Sequence, residues 1–164
     1  MDCIKIKKAK KEDADVILSC INGLAEHVGE TDIVTATKEL LENTIFADNS
    51  HVEVLLAYLN EKAVGYILYY KTYSTFKSSY GLYIEDLFVF PEYRNIGIGT
   101  KLFQRVVTIA KNLDMCKVEW YVNNKNKDAI NFYKKFNVSI LDYKSIYYVN
   151  CKKYNKTLEN DMTR

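Results

Sequence analysis

One short segment has the residue types and spacing of an anion-binding turn. Residues 92–102 read EYRNIGIGTKL and place two of the chain's six glycines within three positions, directly after its only proline. Between an apolar strand and a helix, such a turn lets a phosphate approach N–H groups that have no helical partner. Arg94 adds a side chain suited to a charge-assisted contact. The segment predicts an anion site at a helix N-terminus, with an ordinary structural turn as the alternative.

The loop differs from the two common nucleotide-binding glycine motifs. GxxxxGK[ST] is absent, and Gly99-Thr100-Lys101 has the wrong order for it. GxGxxG is also absent, and the loop follows the fourth or fifth predicted strand instead of opening the fold. Neither motif therefore accounts for the segment.

Two carboxylates, Glu85 and Asp86, precede the glycine loop on the same predicted strand. Successive strand side chains point to opposite faces, so we expect the two to diverge and one of them to face a cleft. A carboxylate in a cleft can accept a proton from a reacting group. The alternative is a strand-edge carboxylate paired with lysine.

The elements that position these residues follow from the period of the apolar side chains. Alternation and β-branched or aromatic residues predict seven strands, the second and third joined as a hairpin at Asn60-Glu61, over about 3–9, 52–58, 63–73, 80–90, 115–122, 138–142 and 145–151. Helical spacing predicts four helices, over about 13–25, 36–46, 102–113 and 128–136. This order predicts an α+β fold with a mixed sheet and helices on both faces, in one domain over 1–164 with a polar tail at about 152–164.

Composition narrows the classes of partner. The chain of 164 residues carries 23 basic and 21 acidic side chains. This near balance of charge does not favour nucleic acid as a binding partner. No run reaches the ~20 apolar residues of a membrane helix, and the first residues lack a signal-peptide pattern, so we expect no membrane partner and a cytoplasmic location. The four cysteines form no CxxC pair and only two histidines are present, so we expect small buried thiols and no metal site.

The glycine loop and the elements around it resemble those of a known family. R-x-x-G-x-G between a long strand and an amphipathic helix, followed by a strand and a helix carrying NFYKK, resembles the GNAT superfamily of N-acetyltransferases. Within it, YIEDLFVFPEYRNIGIGTKL and N-x-x-x-I-N-F-Y-K-K are similar to the spermidine/spermine (diamine) branch. The resemblance spans nearly the whole chain in element order, is strong at 83–136, and implies a mostly antiparallel central sheet and a homodimer.

The resemblance implies acetyl-CoA as the cosubstrate and assigns residues to it. The pyrophosphate would lie against the loop of Arg94, Asn95, Ile96, Gly97, Ile98, Gly99 and Thr100, and the pantetheine arm along Leu87, Phe88 and Val89. Asn126 would contact the coenzyme and also suits an N-cap. Asn95 and Asn137 replace glycines of the family, and asparagine tolerates the left-handed φ expected at both.

The resemblance also assigns the chemistry, by direct attack of an amine in a ternary complex. Glu85 would accept the amine proton, directly or through water, and Tyr133 would protonate the departing thiolate. The alternative for Tyr133 is packing with Phe132 and Phe136. None of the cysteines has a motif-placed base, so a covalent route is not expected.

The acceptor is predicted to be a small diamine or polyamine. The candidate contacts are acidic or aromatic, as a long cation requires, and comprise Glu85, Asp86, Phe76, Glu30 and Asp32. Ser74 and Phe76 replace an aspartate and a tryptophan of the diamine branch, and an acid expected near Val28 is missing, which shifts the expectation toward lysine-like or thialysine-like amino acids. Two alternatives stay open: an acetyltransferase for a protein N-terminus or an antibiotic amine, and a coenzyme A-binding module without turnover.

Overall fold

The computed structural model describes residues 3–151 and divides into two compact units, 1–121 and 122–164. The predicted polar tail at 152–164 lies outside the described residues. The first unit contains β1 (Ile4–Lys8), α1 (Ala14–Val28), α2 (Lys38–Thr44), β2 (Val52–Leu59), β3 (Lys62–Ser74), β4 (Ser79–Val89), α3 (Ile98–Asn112) and β5 (Val118–Glu119). The second unit contains α4 (Lys127–Tyr133).

The five strands form one sheet in chain order, β1-β2-β3-β4-β5. The first four pair antiparallel, and β5 pairs parallel to β4 through Leu82↔Val118 and Tyr83↔Glu119. The hairpin between β2 and β3 turns at Asn60 and Glu61, whose φ angles of 49° and 63° are the left-handed pair that matches strand twist. The predicted α+β fold and its mostly antiparallel sheet are therefore confirmed.

Helices cover both faces of the sheet. On one face, α1 and α2 pack on a buried cluster that includes Ile17, Cys20, Leu41, Leu56 and Tyr66. On the other, α3 buries Leu102, Phe103, Val106 and Ala110, and alternation along the strands supplies their partners Leu55, Ile67, Tyr69 and Ile84. Buried β4 side chains therefore face one or the other helical layer, as Phe88 faces α1 and α2 and Ile84 faces α3.

Three expectations about the local structure are wrong. Residues 138–151 form no strand in the described structure, and β5 is limited to two residues. A strand-like pattern needs a partner for its backbone groups, and several large apolar side chains of this segment are instead exposed. Among the cysteines only Cys20 is buried, whereas Cys3 and Cys151 are exposed.

Candidate active site

The glycine loop is built as a left-handed turn that leads directly into α3. After a 3₁₀ turn at Pro91–Tyr93, Asn95 has φ 64° and Gly97 has φ 89°, and the helix begins at Ile98. The left-handed conformation predicted for Asn95 is confirmed, while Gly97 takes a φ that side chains other than Asn or Asp rarely tolerate. Asn137 does not have a positive φ, because α4 ends earlier, at Tyr133.

The start of α3 presents backbone donors without acceptors. The first helical bond runs from Lys101 N–H to Gly97 O, so the N–H groups of 97–100 have no helical partner. The first turn contains no acidic side chain that would compete for the positive end of the helix dipole. Together these features suit an anion.

Arg94 is held beside this turn by two contacts. Its Nε donates to the carbonyl of Val89 at 2.9 Å, and its guanidinium lies 5.6 Å from the ring centroid of Phe88. The hydrogen bond uses one of five guanidinium donors. Four donors remain for an anion bound at the loop.

The edge of β4 that leads to the loop lacks a strand partner in the described part of the chain. β5 pairs with β4 only at Leu82 and Tyr83, so the following residues pair with β3 alone. Phe90 N–H bonds to Val64 O on β3, and alternate residues of an antiparallel strand bond to the same neighbour. Leu87 and Val89 therefore direct their N–H groups to the open edge, where an amide-bearing ligand can pair.

A β-bulge lies at Glu85. Leu68 pairs with Asp86 and Tyr69 pairs with Ile84, so Glu85 is the extra residue of β4. Tyr66 donates to Asp86 Oδ2 at 2.7 Å and Tyr70 donates to Glu85 Oε2 at 3.2 Å.

These two bonds place both carboxylates on one face of the sheet. Tyr66 and Tyr70 are four residues apart on β3 and therefore share a face. The expectation that Glu85 and Asp86 diverge is wrong, because the bulge interrupts the alternation of β4.

The two carboxylates differ in environment. Asp86 is half-buried, and burial raises its pKa, with a further increase from the charge of Glu85 and an opposing effect from the Tyr66 hydrogen bond. Glu85 is exposed. Burial, followed by the charge of Glu85, raises the pKa of Tyr70, so its hydroxyl remains a donor. The arrangement gives one accessible proton acceptor beside a shielded second carboxylate.

Aromatic rings and a third carboxylate continue this face. The ring of Tyr83 lies 5.2 Å from that of Tyr70 and 5.4 Å from that of Tyr121. Glu119 of β5 pairs with Tyr83, and its carboxylate accepts from Lys117 Nζ at 2.6 Å. Sequence reasoning missed Lys117 and Glu119; their i, i+2 spacing on a strand was the available signal.

The second unit contains the other two predicted residues. Asn126 caps α4, since its Oδ1 accepts from Ala129 N–H at 3.0 Å, and the predicted N-cap is confirmed. Tyr133 is half-buried in the last turn, with its ring 5.0 Å from that of Phe132. Burial raises the pKa of Tyr133, so the phenol holds its proton at neutral pH. The coenzyme contact of Asn126 and the acid role of Tyr133 stay predictions.

The remaining acceptor candidates lie apart from Glu85. Phe76 is fully exposed in the β3–β4 turn, five residue pairs or roughly 17 Å along the hairpin from the bulge. Glu30 and Asp32 are exposed in the segment after α1, and neither carboxylate forms a hydrogen bond or ion pair with a described residue. Only an extended acceptor could contact both Phe76 and Glu85.

The described residues offer neither a metal cluster nor a membrane-spanning helix. Residues 3–151 contain no group of three or more His, Cys, Asp or Glu side chains arranged to hold a metal ion. Within the same residues no helix is both long and apolar enough to cross a membrane.

Solved structures share this fold. The chain superimposes on an integron cassette protein from the mobile metagenome of V. cholerae with a TM-score of 0.75, at 26% identity over 98% of both chains. It superimposes on an aminoglycoside acetyltransferase from a soil metagenomic sample with a TM-score of 0.77, at 19% identity over 90% of this chain and 95% of that one. The second likeness is one of fold alone.

Sequence comparison gives the family. The model of the acetyltransferase (GNAT) family matches residues 22–137. The chain is 33% identical to thialysine N-epsilon-acetyltransferase of Mus musculus over 142 residues, 82% of this chain and 83% of that protein. It is 30% identical to spermidine/spermine N(1)-acetyltransferase-like protein 1 of Homo sapiens, over 81% of this chain and 20% of that protein.

The family match and the named relatives define the class as an N-acetyltransferase. The chain belongs to the acetyltransferase (GNAT) family. The resemblance noted in the sequence is thereby confirmed.

Proposed function

We propose that this protein transfers the acetyl group of acetyl-CoA to a primary amine of a small diamine, polyamine or lysine-like amino acid. The observation that carries the proposal is the arrangement along β4 of a bulged carboxylate, an open backbone edge and an anion-binding helix start. Attack would be direct, within a ternary complex, since none of the cysteines has a motif-placed base.

The residues present fit acetyl-CoA. The unpartnered N–H groups of 97–100 and the Arg94 guanidinium would hold the pyrophosphate, with Asn95 and Ile96 shaping the turn. The open edge at Leu87–Val89 would pair with the pantetheine amides. When bound, the coenzyme supplies an acetyl thioester, the activated group that an amine attacks.

Glu85 is the proposed proton acceptor. A protonated amine has no lone pair, so it must lose a proton before it attacks, and an exposed carboxylate oriented by Tyr70 suits that task directly or through one water. Asp86, shielded and hydrogen-bonded to Tyr66, would add negative potential without competing for the proton path.

Tyr133 is the proposed proton donor. As the new C–N bond forms and the C–S bond breaks, the leaving sulfur takes up one proton and the attacking nitrogen releases one. Because burial raises the pKa of Tyr133, the phenol holds a proton to give at neutral pH. Asn126, which belongs to the same unit as Tyr133, would contact the coenzyme.

The acceptor class is supported by charge and by the relatives. Glu85, Asp86 and Glu119 lie on adjacent strands of one sheet, and the rings of Tyr70, Tyr83 and Tyr121 lie next to them, which suits an ammonium-bearing chain. The names of the relatives specify thialysine and spermidine or spermine, and each of these carries a second charged group besides the reacting amine.

We propose a homodimer and a cytoplasmic location. Within 140–149 seven large apolar side chains are exposed, including Tyr147 at 94% and Tyr148 at 84%, more than a monomer usually leaves in water. All four cysteines are free, which suits a reducing compartment.

An acceptor screen with detection of free thiol tests the proposal. Purified protein and acetyl-CoA would be combined in turn with spermidine, putrescine, L-lysine, L-thialysine, an aminoglycoside and a peptide N-terminus. We expect release with the small amines above the rate without acceptor. Coenzyme binding without thiol release from any acceptor would instead indicate a binding module without turnover.

A further inference from the structure

The ion pair Lys117–Glu119 on β5 is unusual among those of this protein. The Nζ and Oε1 atoms lie 2.6 Å apart, and the side chains are only 33% and 29% exposed. Every other ion pair of the described residues has side chains exposed by 44% or more. A shielded pair attracts and orients a ligand more strongly than a fully solvated one.

The ion pair shares a sheet face with Glu85. Glu119 pairs with Tyr83 on β4, and Tyr83 pairs with Tyr70 on β3, so these three side chains form one row. Tyr70 also donates to Glu85, which places that carboxylate on the same face. Two residues along β4 and one strand across correspond to about 8 Å between the backbone positions of Glu85 and Glu119. That diagonal is comparable to the length of an extended lysine side chain.

The next row holds the lysine side chain against the sheet. Thr72 pairs with Gly81, and a Cβ at Gly81 would lie 2.7 Å from Lys117 Cγ and 3.2 Å from Thr72 Oγ1. Lys117 can pack at this position only because Gly81 has no side chain. Thr72 Oγ1 is buried beside it and is a side-chain polar atom without a hydrogen-bond partner in the described structure. A buried polar atom of this kind requires a partner, which water or a ligand group would supply.

We infer that Lys117 and Glu119 determine acceptor specificity by recognising the α-amino acid end of a lysine-like substrate; this inference rests on the proposed acetyl transfer. Lys117 binds the α-carboxylate, Glu119 binds the α-ammonium, and the side-chain amine extends past Tyr83 to Glu85. A zwitterion matches the two opposite charges of the pair. A diamine offers a second ammonium to Glu119 and leaves Lys117 unmatched and repelling it.

The test compares L-lysine with cadaverine, which is the same chain without the carboxylate. We expect the wild-type protein to show a higher kcat/KM for L-lysine, by about tenfold or more. Lys117→Met should lower kcat/KM for L-lysine by about 10- to 100-fold, the range for a hydrogen bond to a charged group, chiefly through KM. Its cadaverine kinetics should be unchanged or improved. Glu119→Gln should weaken the binding of both acceptors, seen as a higher KM for each.

The control variant is Lys38→Met. It removes a lysine that is more exposed than Lys117, 50% against 33%, from its ion pair with Asp15 on α1. It should change kcat/KM for neither acceptor. Thermal melting of each variant identifies loss of folding; if Lys117→Met does not fold, Lys117→Gln gives the same comparison. An unchanged lysine-to-cadaverine ratio in the folded Lys117 variant, or a wild-type preference for cadaverine, overturns the inference while leaving acetyl transfer intact.

A binding measurement separates this inference from the proposed function. Calorimetric titration of L-lysine and of cadaverine into the protein saturated with coenzyme A requires no turnover. Lysine-selective binding that Lys117→Met abolishes, in a protein that acetylates no amine, would support the recognition site and reject the proposed function. Equal binding of both ligands would overturn the recognition site.

Discussion

The hydroxyl of Tyr70 lies 3.2 Å from Oε2 of Glu85 and joins β3 to the bulged residue of β4. Glu85 has no backbone partner on β3, because it is the extra residue of the bulge. The Tyr70 hydrogen bond therefore holds Glu85 to β3 through the side chains instead. It leaves the other lone pairs of the carboxylate accessible, because Glu85 itself is exposed. A bulge that re-aims a carboxylate and a phenol that orients it are features expected at an active site.

Replacement of this carboxylate should remove most of the turnover. Glu85→Gln keeps the hydrogen bond from Tyr70 but cannot accept a proton, so kcat should fall by ~100- to 10,000-fold for every amine. Part of the loss should be recovered at high pH, where more amine is already free. Steady-state kinetics across pH measures both effects. Glu53→Gln is the matched control, since Glu53 also accepts from a tyrosine, Tyr69, at 3.1 Å; equal losses in the two variants would contradict the assignment.

The phenol of α4 should matter for chemistry more than for coenzyme binding. Tyr133→Phe removes only the hydroxyl and keeps the ring packed near Phe132. General acid–base catalysis contributes ~100- to 10,000-fold, so we expect turnover to fall by at least ~10-fold, with the acetyl-CoA dissociation constant nearly unchanged. Tyr143→Phe, at an exposed tyrosine of the same unit, should have no effect. Full activity of Tyr133→Phe would leave this residue a packing role only.

Acetyl-CoA should stabilise the fold through the glycine loop. A ligand present at a hundredfold above its dissociation constant adds ~2.7 kcal/mol to the free energy of unfolding. Gly99→Val places a branched side chain among the first-turn donors of α3, and should abolish that gain while the protein still folds. Asn22→Val, at an exposed position of α1, is the control for valine in a helix. A shift in melting temperature as large as that of the wild type in folded Gly99→Val would reject the phosphate site.

Asp86 should make the fold less stable as pH rises. Burial raises its pKa in the folded state, so the folded protein binds the proton more tightly than the unfolded chain. The free energy of unfolding therefore decreases with pH between the ordinary and the raised pKa, and this penalty is complete above the raised value. Asp86→Asn can still accept from Tyr66 and lacks the penalty, so its stability relative to the wild type should improve from about pH 4 to neutrality. Urea unfolding at each pH measures this trend, and Asp48→Asn at an exposed carboxylate is the control.

The exposed apolar segment should lie in a dimer interface. Tyr147 is 94% exposed, so Tyr147→Lys removes no internal packing of the described chain but would place a charge in an interface. Sedimentation velocity should show a dimer for the wild type and a shift to monomer for this variant. Leu113→Lys changes an apolar residue that is 58% exposed at the end of α3 and should leave the dimer intact. A wild-type monomer at every concentration tested would refute the proposal.

The sequence by itself determined the features that depend on neighbouring residues. The apolar period identified β1 to β4, α1 and α3 within a few residues, since each element is specified by side chains a few positions apart. The turn at Asn60-Glu61 and the glycine loop were predicted for the same reason: their backbone conformations depend on local residue types. The family motifs lie within these local stretches.

Only the tertiary structure decided how the strands register and which side chains meet. The bulge at Glu85 depends on how β4 pairs with β3, and a shift of one residue moves side chains to the other face, which no local period reveals. The approach of Lys117 and Glu119 to Tyr83 likewise depends on a parallel pairing made by residues more than thirty positions apart. The strand pattern of 138–151 was real as a propensity, but a strand exists only where another backbone pairs with it. The sequence thus indicated the chemistry, and the long-range pairing of strands determined its geometry.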